Sequence, residues 1–291
     1  MKNKYLFFTD LDKTLLNDSH QISLENFQAI KKLQTNNMIV VLASGRSYQD
    51  IKKNILDKYQ LKLPVIALNG AQIYNENEQL LKNNVLNNID LKRFFDICNK
   101  QDCFYLLYDQ NNTYYHQVTN LIKNLYSLAQ IKSNEIDTIL MGMQIYYNII
   151  YSHHRLDPQL KRQFITYNHD LFKIEVISHD QKFLNQLKSN FTGNLKMTAS
   201  SDINLEITSN EATKGNGVIF LSQYYDIEIK NTFAIGDNYN DLEMLQTVNY
   251  KIAVKNAEKK IKQLADYVSD SYDLNGFAKA AVKVLQIINK I

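Results

Sequence analysis

Asp10 and Asp12 stand one residue apart at the end of the apolar run YLFFTD, residues 5–10. In extended chain, residues two apart face the same side, so the two carboxylates lie together and their repulsion is best relieved by a bound cation. A second pair, Asp237 and Asp241, follows another apolar run, TFAIGD, within the sequence GDNYND. Together the acids make a hard, all-oxygen donor set of the kind that suits Mg²⁺ and leaves room for water and phosphate oxygens. Donors and cations stand at other run ends: Ser44, Gly45 and Arg46 in ASGR, Asn69 and Gly70 in ALNGA, Asn240 in GDNYND, and Lys214 in EATKGNG. Lys214 is placed to open a helix, which would aim an ammonium and N-terminal amides at an anion. Acids with a metal on one side, and lysine with a hydroxyl on the other, fit a phosphate ester.

The elements that must position these residues follow from the apolar pattern. Five short runs, YLFFTD (5–10), MIVVLASGR (38–46), VIALNG (65–70), TFAIGD (232–237) and KIAVKN (251–256), each close on small or polar residues. Their continuous apolar character predicts strands covered on both faces, as in a parallel sheet between helices. Ser23 is set to cap a helix with Leu24, Phe27, Ile30 and Leu33 on its buried stripe, and Tyr48, Ile51 and Ile55 mark another. Ile261, Leu264 and Ala265, then Phe277, Ala281, Val284, Leu285 and Ile288, mark two more. Strand and helix alternate, which predicts a doubly wound α/β parallel sheet. Ligands of such sheets bind beyond the carboxyl ends of the strands, where all the chemical residues named above fall.

This alternation breaks between about residues 84 and 210, where the chain carries the aromatic clusters CFYLLYD, TYYHQ and MQIYYNIIY and a hairpin-like segment, LKMTASSDINLEITS. The stretch is too long for a loop and too apolar for a linker. A core of residues 1–83 and 211–291, with a second α+β domain of residues 84–210 inserted into it, is therefore expected. Within the insert, His153 and His154 are adjacent; on a strand they would face opposite ways, which makes joint ligation awkward and a surface role the simpler reading. The Tyr-rich runs, alternating with polar residues, suggest a half-buried sheet.

Bulk properties narrow the classes. The 291 residues are 45% hydrophobic and 22% charged, the balance of a soluble globular protein. A net charge of +3, from 33 basic and 30 acidic residues without a long run of either, speaks against a dedicated nucleic-acid binder. The first apolar run is too short for a signal peptide or a membrane span, so a cytoplasmic protein is expected. Cys98 and Cys103 have no partner at zinc-ligand spacing and read as buried or idle thiols. No G-x-G-x-x-G follows the first strand and no G-x-x-x-x-G-K-[ST] occurs, which disfavours dinucleotide and P-loop chemistry. Oligomeric state leaves no signature.

Taken in order, DLDKTL, ASGR, TKGNG and GDNYND resemble the four motifs of the haloacid dehalogenase-like phosphatases, specifically the Cof-type branch, subclass IIB. That branch carries a large C2 cap between the second and third motifs. ALNGAQIY, LEIT and IAVKNAEKKIKQLADYVSD resemble further stretches of it, so the likeness covers the whole chain. The resemblance implies a Rossmann-like core, an α+β cap that closes over the site, and Mg²⁺-dependent hydrolysis of a small phosphorylated metabolite. It implies Asp10 as the nucleophile of an aspartyl-phosphate mechanism, and Asp12 as the group that protonates the leaving alcohol and then activates water. The Asp10 carboxylate, the Asp12 carbonyl and Asp237 would ligate the metal with Asp241 in support. Ser44, Lys214 and Asn240 would hold the phosphoryl group. Gly45 and Asn69, at strand ends, are further candidates for the substrate, and Arg46 either contacts substrate or pairs with an acid at the domain junction. A phosphosugar mutase and a phospho-ligand-binding protein with little turnover are alternatives that the same residues allow. Two positions depart from the family pattern: Lys13 and Lys255 stand where glycine is usual, and Lys13 is strained if its backbone takes a positive φ.

Overall fold

The apolar runs become neighbouring strands in the computed structural model, which describes residues 5–101, 103–119, 149–151, 153–166, 169–191, 193, 195–198 and 203–289. In chain order the strands are β1 (Tyr5–Thr9), β2 (Met38–Ala43), β3 (Val65–Ala67), β4 (Gln72–Tyr74) and β5 (Leu80–Asn83). Next come β6 (Phe104–Tyr108), β7 (Thr113–His116), β8 (His154–Arg155), β9 (Lys173–Ile177), β10 (Leu195–Thr198) and β11 (Asn204–Ser209). The last are β12 (Thr232–Gly236), β13 (Tyr250–Ala253) and β14 (Tyr267–Val268). The chain forms two compact units, Met1–Asn83 with Glu211–Ile291, and Asn84–Asn210.

The first unit holds an eight-stranded sheet in the order β14-β13-β12-β1-β2-β3-β4-β5. The pairs from β14 to β3 are parallel, as the continuous apolar runs predict. Leu6, Phe7 and Phe8 are consecutive and all fully buried, which requires cover on both faces of the sheet. Removing each such side chain from water contributes about 1.5–3 kcal/mol. The β3-β4 and β4-β5 pairs are antiparallel, an addition to the expected parallel sheet. Its cause is local: the short turn Leu68–Gly70 cannot span the crossover that a parallel neighbour needs.

The helix Leu24–Thr35 is capped by Ser23, whose Oγ accepts from the Asn26 amide at 3.2 Å. Its buried face is Asn26, Ala29, Ile30 and Leu33, and Leu24 is 66% exposed, which corrects the expected stripe. Asn26 is the reason: its Nδ2 donates to the Leu15 carbonyl and its Oδ1 accepts from the Ala278 amide. Those bonds roll the first turn inward on a polar residue and leave Leu24 outside.

The second unit is a six-stranded sheet, β10-β11-β9-β6-β7-β8, antiparallel except for β7-β8. One face presents Tyr105, Leu107, Ile174, Val176, Leu205 and Ile207 to helix residues such as Phe94, Phe164, Phe183 and Leu187. Strand β6 is buried on both faces, because Phe104 and Leu106 join a second apolar cluster; CFYLLYD is therefore a two-sided core strand, not a half-buried one. His154 and Arg155 are exposed on β8, and Cys98 and Cys103 are buried free thiols. Most of the aromatic run MQIYYNIIY and the turn between β10 and β11 lie outside the described residues. Among the described residues no helix is long and apolar enough to cross a membrane.

Candidate active site

Asp10 directly follows β1, and its amide donates to the Ile235 carbonyl of β12 at 3.1 Å. That bond continues the ladder by one step and sets Asp10 beside Gly236 and Asp237. A β-carbon on Gly236 would lie 2.7 Å from the Asp241 side chain, so glycine there lets Asp241 fold back under the strand end. The Asp241 Oδ2 accepts from the amides of Asp237 at 3.0 Å and Asn238 at 3.1 Å. These bonds fix the GDNYND turn around its own last residue, Asp241.

Lys214 is the first residue of the helix Lys214–Tyr224, with Thr213 as its cap. Its ammonium, fully buried, donates to Asp10 Oδ1 at 2.7 Å and to Asp241 Oδ1 at 2.6 Å. Burial lowers the proton affinity of this amine, but the two carboxylates more than reverse that and hold it charged. Thr213 is itself approached closely: a β-carbon on Gly70 would stand 2.3 Å from the Thr213 carbonyl oxygen. Gly70, at φ +104, is thus needed both for its conformation and for its lack of a side chain.

Asp10, Asp237 and Asp241 each offer one oxygen, and these oxygens lie within 4.8 Å of one another. Burial pushes Asp10 well above the usual carboxylate range, with Lys214 opposing and Asp241 and Asp237 adding to the rise. Asp237 is pushed up to about 7, by burial first and then by the charge of Asp241. Three acids gathered around one ammonium, which bonds Asp10 and Asp241 alone, are short of positive charge, and a hard divalent cation with oxygen ligands fits that deficit. Thr14, which sequence reading did not single out, donates from Oγ1 to Asp237 Oδ1 at 3.3 Å.

The Asp12 carboxylate lies apart from this cluster and faces Arg46. Arg46 Nε donates to Oδ2 at 2.8 Å and its Nη2 donates to Oδ1 at 2.5 Å. His20 Nδ1 is 3.1 Å from the same Oδ1 and 2.9 Å from Arg46 Nη2, and Arg46 Nη1 donates to Asp50 at 3.0 Å. Burial raises the Asp12 pKa, but the Arg46 bonds and charge, with His20, outweigh it and hold the group below its ordinary value. Arg46 is therefore committed to two carboxylates. His20 and Asp50 were not legible as site residues, although Asp50 stands four residues after Arg46, a spacing that brings side chains together over one helical turn.

Ser44 is buried and its Oγ accepts from the Arg46 amide at 3.2 Å. The turn Leu68–Gly70 holds this loop: Leu68 and Asn69 amides donate to the carbonyls of Arg46 and Ser44, both at 2.9 Å. Leu68 and Asn69 sit at φ +49 and +57, a left-handed conformation that costs about 1–2 kcal/mol per residue. Asn69 Oδ1 accepts from Asn240 Nδ2 at 3.3 Å, so Asn69 orients the amide of Asn240. Gly45 lies between Ser44 and Arg46 on the same loop. Lys13 takes φ +57, the strained case raised by its side chain.

Comparison with known proteins agrees with this architecture. Residues 7–280 match the family model of the haloacid dehalogenase-like hydrolases. The chain is 28% identical over 287 residues to the phosphatase YwpJ of Bacillus subtilis (strain 168), covering 94% of this chain and 97% of that one. It is also 28% identical over 274 residues to the 5-amino-6-(5-phospho-D-ribitylamino)uracil phosphatase YwtE of the same strain, covering 92% and 94%. A solved haloacid dehalogenase-like hydrolase from B. subtilis aligns with a TM-score of 0.78 at 25% identity, over 95% of this chain and 98% of that chain. The chain belongs to the haloacid dehalogenase-like hydrolases and is an enzyme of that hydrolytic family.

Proposed function

We propose that this hydrolase is a Mg²⁺-dependent phosphatase that cleaves a small-molecule phosphate monoester through an aspartyl-phosphate on Asp10. The observation that carries the reading is the single buried ammonium of Lys214 shared by Asp10 and Asp241, with Asp237 beside them. Asp10, Asp237 and Asp241, with the Asp12 carbonyl, would hold the cation. When bound, Mg²⁺ offsets charge on the phosphoryl oxygens.

Lys214 fixes one oxygen of Asp10 and leaves the other to attack phosphorus. The bond from Asp10 to phosphorus forms as the bond to the leaving oxygen breaks, and that oxygen takes a proton from Asp12. In the second step Asp12 takes a proton from water, the water oxygen joins phosphorus, and Asp10 is released. The Arg46 and His20 contacts favour the ionised Asp12 that this second step needs. Proton delivery in the first step requires Asp12 to leave the Arg46 fork. The Ser44 hydroxyl, Lys214 and the Asn240 amide would meet the phosphoryl oxygens, with Asn69 and Arg46 acting through their bonds to Asn240 and Asp12.

The test is phosphate release from a panel of metabolite phosphates and an aryl phosphate. Release is expected with Mg²⁺, falling by at least about 100-fold in excess chelator and returning when Mg²⁺ is restored. Full activity in chelator would overturn the metal-dependent reading.

A further inference from the structure

Two cations at the carboxyl edge of the core sheet are not used by the chemistry above. Lys13 follows β1, Asp237 follows β12 and Lys255 follows β13, and these strands are neighbours in that order. Asn256 Nδ2 donates to the Lys13 carbonyl at 2.9 Å, and the Glu258 amide donates to the Asp237 carbonyl at 2.8 Å. The two lysine-bearing loops and the loop of Asp237 are thereby fastened together.

Both lysines are exposed. Among the described residues neither ammonium closes a direct ion pair: the charge of Lys255 adds to that of Lys279 on Asp270, but the bond to that carboxylate is made by Lys279. Lys13 nevertheless holds φ +57, a backbone that glycine adopts freely and a side-chain-bearing residue adopts at a cost. Among the described residues no hydrogen bond or ion pair of its own ammonium offsets that strain. Its backbone stands one residue beyond Asp12, on the loop that leaves β1. Ser44 and the Leu68–Gly70 turn lie on the β2 and β3 side of Asp10, whereas Lys255 lies on the β12 and β13 side. A group bound by the lysines is therefore distinct from the phosphoryl group held by Ser44.

We propose that Lys13 and Lys255 form a cationic rim that selects phosphate esters carrying a second anionic group, a carboxylate or a further phosphate. The inference rests on the phosphatase reading and names the substrate class for that site.

The experiment compares matched esters: 3-phosphoglycerate against glycerol 3-phosphate for the carboxylate, and fructose 1,6-bisphosphate against fructose 6-phosphate for the phosphate. Wild type, Lys13→Gly and Lys13→Gly/Lys255→Ala are assayed for kcat/KM. Equilibrium binding of the same esters is measured on Asp10→Asn protein with and without Lys13→Gly. Glycine at position 13 relieves the backbone, so that variant folds. Wild type is expected to favour the doubly anionic member of at least one pair. The preference should fall about fivefold in Lys13→Gly and about tenfold or more in the double variant, and shrink in wild type as salt rises. The pair that responds identifies the second group. A preference ratio that Lys13→Gly leaves unchanged, or an equal loss on both members of each pair, overturns the rim. Absence of phosphate release from every ester would instead defeat the phosphatase reading, and the binding ratio would still decide the rim.

Discussion

Asp10→Asn is expected to lower phosphate release by roughly 10⁴-fold or more while leaving the folded state intact. The size follows from covalent catalysis, in which loss of the nucleophile removes the main route and leaves only the catalysis that binding and electrostatics supply. The intact fold follows from the surroundings. Asparagine keeps the shape of the side chain and removes one of three crowded carboxylates, and Lys214 retains Asp241 at 2.6 Å. Asp10 is held well above the usual carboxylate range by burial and by its acidic neighbours, so a neutral residue there does not add an unpaired charge. Activity assays beside thermal unfolding check both halves. Turnover within tenfold of wild type would remove Asp10 from the chemistry, and a collapsed midpoint would assign it to structure.

Lys214→Met is expected to damage stability and turnover together. The ammonium is fully buried and is the cation shared by Asp10 and Asp241; an apolar chain of similar length leaves those acids without it. Stranding buried charge by deleting its partner costs about 3–5 kcal/mol, a large part of a typical total of about 5–15 kcal/mol. Added Mg²⁺ should return part of the lost midpoint, because it binds the same acids in the folded state only. Turnover should fall by about 10²–10³-fold, the usual result of removing a charge-stabilising donor from a dry site. Urea unfolding with and without Mg²⁺, beside an assay of the refolded variant, measures both effects. A variant as stable as wild type without metal would mean that the acids are not charged together.

The contrast between these two residues shows what the sequence made legible. Asp10, Asp237 and Lys214 stand where parallel strands end or a helix begins, and strand ends and helix starts are visible in apolar runs and glycine spacing. Lys214 could be placed at a helix start because TKGNG supplies a cap and glycines, and the structure puts Gly217 close against Ile66. The Asp12–Arg46–His20 contact had no such signal, since it depends on a hairpin bringing Leu16 against Ile22 and on which way a long guanidinium turns. Leu24 was misplaced because period alone cannot see Asn26 bonding across to Leu15 and Ala278. The antiparallel β4 and β5 were missed because strands of three or four residues, joined by four and five residues, leave little pattern to read. Lys13 was legible as a departure, but only the backbone shows that its φ is positive.

The most direct test of the account is a rapid quench of enzyme with a turned-over phosphate ester and Mg²⁺, followed by borohydride reduction and mass spectrometry of the peptide containing residue 10. Reduction of an acyl phosphate converts that aspartate to homoserine. The expected result is homoserine at position 10 during turnover, and none in chelator or in Asp10→Asn. Steady phosphate release with Asp10 unmodified at every quench time would contradict the covalent mechanism.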